Sequence, residues 1–154
     1  MTILLAAFLL GLVSGLRSLT GAAVISWAAR TGHLVLAGSW LAFVGNAWMP
    51  WLLSALAIGE LIGDKLPSTP SRKALAPFLG RIVLGTLCGI AIGTPAGQPL
   101  PGAICGAVGA VAGTLGGYAA RTSLTRAFGG RDLPVALCED VIAIGTACAV
   151  LFSH

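Results

Sequence analysis

TILLAAFLLGLVSGLRSLTGAAVISWAAR, residues 2–30, is the stretch whose reading decides the fold. It is apolar without a break as far as Gly15, then carries Arg17, Ser18, Thr20 and Gly21, and resumes as AAVISWAA before Arg30. About 20 helical residues cross the hydrocarbon layer, so the stretch is longer than one crossing needs. It is either one long tilted helix or a helix broken near Gly15–Gly21. Broken helices are tolerated at membrane depth where they line a cavity. The stretch lacks a basic leader and an A-x-A site, so it reads as a retained first membrane segment rather than a signal peptide.

The whole chain has the same character. Of its 154 residues, 56% are hydrophobic and 9% charged, against about a quarter charged in soluble domains. So short a chain has too much surface to be that poor in charge in water, and lipid is its natural solvent. The net charge of +4 is gathered in short stretches between apolar segments. No basic run is interleaved with aromatics as nucleic-acid binding requires. Cys88, Cys105, Cys138 and Cys148 form no C-x-x-C pair. They lie in apolar segments, where cysteine packs as a small hydrophobe, and imply neither a disulfide framework nor a zinc site.

Four more apolar segments follow: Ser39–Gly63, Leu75–Gly93, Gly102–Ala120 and Pro134–Phe152. Trp40, Trp48 and Trp51 place the start of the second near a headgroup layer, and Pro50 kinks it or marks its true start. KLPSTPSRK (65–73) and TPAGQPLP (94–101) read as turns. Asp132 and Pro134 make a helix start. The expected architecture is an all-α, polytopic transmembrane helix bundle of about five segments, one domain over residues 1–154. Lys65, Arg72, Lys73 and Arg81 follow the second segment, and Arg121, Arg126 and Arg131 follow the fourth. The positive-inside rule puts the 64–73 and 121–132 connectors in the cytoplasm of an inner (plasma) membrane protein. Five crossings then put the N-terminus inside and His154 outside. A re-entrant first segment inverts the N-terminus.

Glycines recur at helical spacing: Gly11 and Gly15; Gly85, Gly89 and Gly93; Gly102, Gly106, Gly109 and Gly113. Such spacing lets helix backbones approach closely in lipid. Gly85, Gly89, Gly106, Gly109 and Gly113 are the expected packing positions. GAVGAVAGTLGG is no dinucleotide loop, since no strand precedes it.

Charge at membrane depth is costly and marks candidate sites. The candidates are Arg17, Glu60, Asp64, Arg81, Glu139 and Asp140. Arg17 follows fourteen largely apolar residues and is expected to be paired with a carboxylate or an anion. Glu60 is the preferred partner and Glu139 the second, and the pairing requires a broken or re-entrant first segment. Glu60 and Asp64 share a helix face near a helix C-terminus, where the dipole disfavours them. Lys65, Arg72 or Arg81 must compensate. Glu139 and Asp140 sit near a helix N-terminus, where acids are favourable, and Glu139 facing Glu60 would make a cation or proton site. GLRSLT around Arg17 and AARTSLT around Arg121 each precede an acid pair on the next segment, which suggests a weak internal repeat.

GLR at 15–17, ELIGDKLP at 60–67, Gly80–Arg81 and LCED at 137–140 resemble the bacterial membrane-protein family designated domain of unknown function 4126. The resemblance covers most of the chain, implies a membrane protein with these same residues at its centre, and carries no activity.

Two functions fit. One is a transporter or channel for a small ion or polar solute, working as a homodimer or larger homo-oligomer because so small a chain barely encloses a path. The other is a structural or lipid-interacting membrane protein whose connectors grip headgroups. No H-E-x-x-H, G-x-S-x-G or Ser/His/Asp arrangement suggests an enzyme. No cofactor is expected; a Glu60/Asp64 and Glu139/Asp140 cluster could hold a divalent metal, but carboxylates alone specify no reaction.

Overall fold

The computed structural model describes residues 2–63, 75–130 and 132–152. Asp64, Lys65 and the rest of the 64–73 connector, with Arg131 and His154, lie outside the described residues. Among these residues six α-helices run in order: α1 (Ile3–Leu16), α2 (Ser18–Arg30), α3 (Met49–Gly63), α4 (Leu75–Gly93), α5 (Pro99–Ala127) and α6 (Asp132–Phe152). Short 3-10 turns at Trp40–Gly45 and Thr94–Ala96 precede α3 and α5. Pro50 lies in the first turn of α3 and so marks its start.

The first segment is broken at Arg17, whose backbone is extended (φ −139°, ψ 105°) between two helices. The chain turns back there. A Cβ on Gly21 would lie 2.6 Å from Ser14 Oγ and 3.4 Å from the Leu10 carbonyl oxygen. In one continuous helix, residues 10 and 21 are about 16 Å apart along the axis. At the open end of the hairpin, Ile3 shares a cavity with His33, Leu34, Pro95 and Leu151. α1 and α2, of 14 and 13 residues, each rise about 20 Å, short of the roughly 30 Å hydrocarbon layer. The pair therefore forms a hairpin with Arg17 at its tip, which is the broken form of the first segment. The start of α1 sits at the same end of the bundle as the 94–98 turn, opposite the α5–α6 turn.

α3 runs antiparallel to α2. Trp27 Nε1 donates to Ser54 Oγ (3.1 Å), and the Trp27 and Trp51 rings meet edge to face at 5.1 Å. At the other end of the pair, Glu60 meets Ser18. α4 and α5 are an antiparallel pair joined through Gly97 at φ 70°, with α1 packed against both. α5 is longer than the Gly102–Ala120 expected. RTSLTRA contains good helix formers and no proline, so it stays helical until Gly129 and Gly130, at φ 66° and 84°, end it. The GLRSLT and AARTSLT stretches thus take different backbones, broken in the first and helical in the second.

Leu75–Ala96, Pro99–Ala127 and Asp132–Leu151 are long and apolar enough to cross a membrane, and α1 and α3 are shorter apolar helices. The surface is apolar, with Leu79, Val83, Ile104, Val108, Val141 and Ile142 exposed, while Arg17, Arg81 and Asp140 are buried. That distribution suits lipid and not water.

The helices meet at their glycines. A Cβ on Gly106 would overlap the Gly85 carbonyl, one on Gly89 the Gly102 carbonyl, one on Gly109 the Phe8 carbonyl and one on Gly113 the Leu12 carbonyl. A Cβ on Gly85 would lie 2.6 Å from the Ala110 Cβ. Gly11 and Gly15 complete the contact from the α1 side, against Gly106 and Ala110.

Two predictions follow from this geometry. In a cysteine-free background, Thr2→Cys and Ala96→Cys are expected to react with an impermeant reagent from one side of the membrane and Ser123→Cys from the other. Thr2→Cys reacting together with Ser123→Cys would favour the five-crossing arrangement. Gly106→Ala is expected to lower thermal stability in detergent by about 1–3 kcal/mol, the cost of overpacking. Gly80→Ala, where a Cβ meets nothing within 4 Å, should leave stability unchanged; equal effects of the two would refute close packing at Gly106.

Candidate functional site: a charged layer at the hairpin tip

A helix break inside a bundle leaves carbonyls at the end of one helix and amides at the start of the next without intrahelical partners. Here each set meets a charge from another helix. The Gly15 and Leu16 carbonyls at the end of α1 accept hydrogen bonds from Arg81 Nη1, at 2.7 and 3.1 Å. Thr114 Oγ1 on α5 also donates toward the Gly15 carbonyl (3.2 Å) while bonding its own Ala110 carbonyl (2.8 Å). At the start of α2, the Ser18 and Leu19 amides donate to Glu60 Oε1 (2.8 Å) and Oε2 (2.9 Å). The Ser18 hydroxyl donates to the same carboxylate.

The arrangement matches the helix dipoles, with a cation at the end of α1 and an anion at the start of α2. Glu60 sits near the unfavourable end of its own helix, and the α2 amides together with Arg81 Nη2 at 3.8 Å compensate it. Arg81 was among the compensating groups expected; the α2 N-terminus was not foreseen. Asp64, Lys65 and Arg72 lie outside the described residues.

Arg17 is wholly buried, and its Nη2 lies 2.5 Å from Asp140 Oδ1. Asp140 is itself 6% exposed. This corrects the expected pairing. Arg17 meets a carboxylate through a broken segment, but the carboxylate is Asp140, because Glu60 is engaged by the α2 amides and Arg81. Glu139 does not face Glu60 either. Adjacent helical residues point about 100° apart, and Glu139 turns toward α5, where its Oε2 is 3.7 Å from Arg121 Nη1. Sequence does carry a signal for the choice. Asp140 lies on one helix face with Ala136, Ala143 and Ala147, all fully buried, whereas Glu139 shares its flank with exposed Ile142.

Arg121, Ser18 and Thr114 belong to the site's surroundings and were not singled out as site residues. Arg121 Nε and Nη2 hold Asp132 Oδ1 and Oδ2 at 2.8 and 2.5 Å, and Thr125 Oγ1 adds a bond of 3.3 Å. A fork on a carboxylate eleven residues away in sequence ties the end of α5 to the start of α6.

Arg81 lies six residues beyond the start of α4 and Asp140 eight beyond the start of α6, roughly 9–12 Å along each axis. The layer therefore lies about two turns inside the bundle, nearer the end that carries the α5–α6 turn. Among the described residues, no group of three His, Cys, Asp or Glu side chains is placed to hold a metal. Compared with family models, curated proteins and solved structures, the chain matches none.

Removing one partner of a buried pair strands the other. Arg17→Ala is expected to cost about 3–5 kcal/mol, and Arg126→Ala, on the exposed end of α5, close to nothing. A double-mutant cycle on Arg17 and Asp140 should give a coupling of about 0.5–3 kcal/mol. Additive effects at that pair would show that the contact contributes nothing.

Proposed function

We propose that the protein is a transporter or channel for a small ion or polar solute, embedded as a multi-pass protein in the plasma membrane. In this reading the 64–73 and 121–132 connectors face the cytoplasm, where positive charge is retained. The open end of the α1–α2 hairpin faces outward. A homodimer or larger assembly supplies the enclosure that so few helices lack. The reading is non-enzymatic.

One observation carries it: a broken helix whose two ends meet inside the bundle against Arg81 and Glu60. Non-helical backbone at membrane depth occurs where it is buried in protein or lines a cavity, and half-helix ends are recurrent ion and substrate sites. A solute of either sign finds a matching helix end here once the intramolecular charge moves aside. Charged groups that close on one another in the absence of solute are what an occluded site requires.

The completeness of that pairing also favours a second reading, a static membrane protein in which the charges lock the hairpin. Flux decides between them. Purified protein in liposomes is expected to pass protons, a monovalent cation, a halide or a small carboxylate faster than empty liposomes. Glu60→Gln, which keeps an acceptor for the α2 amides but removes the charge, should abolish that flux while the protein remains monodisperse. Wild-type protein indistinguishable from empty liposomes across this panel favours the static reading.

A further inference from the structure

α3 leans on α2 and on the 40–45 turn. It meets α4 at the charged layer, where Glu60 lies 3.8 Å from Arg81. Toward the open end of the hairpin lies a cleft of about 160 Å³, lined by Ala22 and Ile25 from α2, Leu53 from α3, and Leu84, Leu87 and Cys88 from α4. Ala22 is four residues beyond Ser18 and Leu84 three beyond Arg81, so the cleft begins about one helical turn from the charged layer. Trp40 and Phe43 also line it and are themselves exposed, so they form its rim. Behind them Leu41 is buried, and Ser26 Oγ donates to the Val44 carbonyl at 2.5 Å, which pins the turn to α2.

The lining decides what fits. Buried water needs about two to four polar partners, and the Cys88 thiol at the inner wall is already engaged with Ser14 Oγ at 3.5 Å. A helix from a second copy, about 10–12 Å across, is too wide. Left empty, the walls forfeit the dispersion contacts that lipid tails make with the rest of the surface. That surface continues on both sides of the cleft, with Leu52 and Leu56 exposed on α3 and Val83 on α4. An acyl chain is narrow, apolar and already present there. Tryptophan favours the headgroup level, so Trp40, with the exposed Trp48 near it in sequence, sets the rim where phospholipid tails begin.

We propose that this cleft is a binding site for one acyl chain of a phospholipid in the leaflet at the open end of the hairpin. The headgroup lies at the level of Trp40 and Phe43, and the tail runs between α3 and α4 toward Leu84 and Cys88. The chain completes the packing of α3 on the side where α4 stands away from it. The site does not depend on the transport reading and holds equally for a static protein.

The test uses the full chain in bilayers containing a small fraction of phosphatidylcholine with a diazirine on one acyl chain. After photolysis, adducts mapped by mass spectrometry are expected at Leu53, Leu84 or Leu87 in roughly tenfold higher yield than at Val108 and Val141, because a tail held on several sides makes many more carbon contacts than one on an open surface. Leu53, Leu84 and Leu87 are half-buried, whereas Val108 and Val141 are 55% and 70% exposed, so labelling by exposure alone gives the reverse order. Ala22→Phe fills the cleft from α2 and should lower its adducts to the level of the open surface. Leu87→Phe should do the same from α4, and either variant that stays monodisperse decides; if neither does, the wild-type adduct pattern decides alone. Ile104→Phe, on the exposed face of α5, should leave the adducts unchanged. Adducts that follow exposure, or that persist in a monodisperse filled variant, would overturn the site. Labelling by a free diazirine fatty acid with none by the phospholipid would overturn the phospholipid as its occupant.

Discussion

Everything in this fold depends on satisfying the peptide groups released where the chain breaks at Arg17. Water does not reach the hydrocarbon layer, and each polar group left open there costs several kcal/mol. The solution uses three neighbouring helices. α4 brings Arg81 to the carbonyls of α1, α3 brings Glu60 to the amides of α2, and α6 brings Asp140 to the Arg17 side chain. None of these bonds forms unless the hairpin, α3, α4 and α6 are already in register. The tip is accordingly a point at which the whole bundle is fixed.

The glycine contacts are the second half of the same constraint. Arg81 reaches the Gly15 carbonyl because α1 lies directly on α4 and α5. Side chains at Gly11, Gly85 or Gly106 would push the axes apart and lengthen every bond to the tip. In lipid there is little hydrophobic gain from bringing helices together, so close backbone approach and interhelical polar contacts supply the association. Both converge on α1, which carries no charged residue of its own yet is well buried, with Ala6, Ala7, Leu10 and Val13 wholly inaccessible.

Much of this could be read in the sequence, and its limits are physical. Composition gave the solvent, and hydrophobic runs gave the helices, since neither depends on tertiary contacts. The break near Gly15–Gly21 was visible because an arginine and hydroxyls interrupt an apolar run. Its direction was not, because a kink and a reversal have the same local composition, and only the contact of Gly21 with Leu10 and Ser14 distinguishes them. Sequence singled out Arg17, Glu60, Arg81, Glu139 and Asp140 as charges near apolar segments but did not pair them correctly. Depth along each helix suggested Glu60 for Arg17, yet depth ignores rotation about the axis. The buried face of α6, marked by Ala136, Ala143 and Ala147, selects Asp140 instead. Capping of α2 by Glu60 could not be anticipated, since it needs the turn at Arg17 to exist first.

Stability alone does not account for so much charge. Replacing a buried ion pair by well-packed apolar residues is often neutral or stabilising, and hydroxyls such as those of Ser18 and Thr114 can cap helix ends without a net charge. What charges add is the capacity to exchange partners. Glu60 holds the α2 amides through its carboxylate, so a cation arriving there weakens those bonds. A competing anion can take its place at the same amides. Arg81 sits between Glu60 and the α1 carbonyls, so a change at one end of the break is felt at the other. A neutral cap would hold the hairpin but would respond to nothing, and this difference is the physical argument behind the proposed solute-handling role.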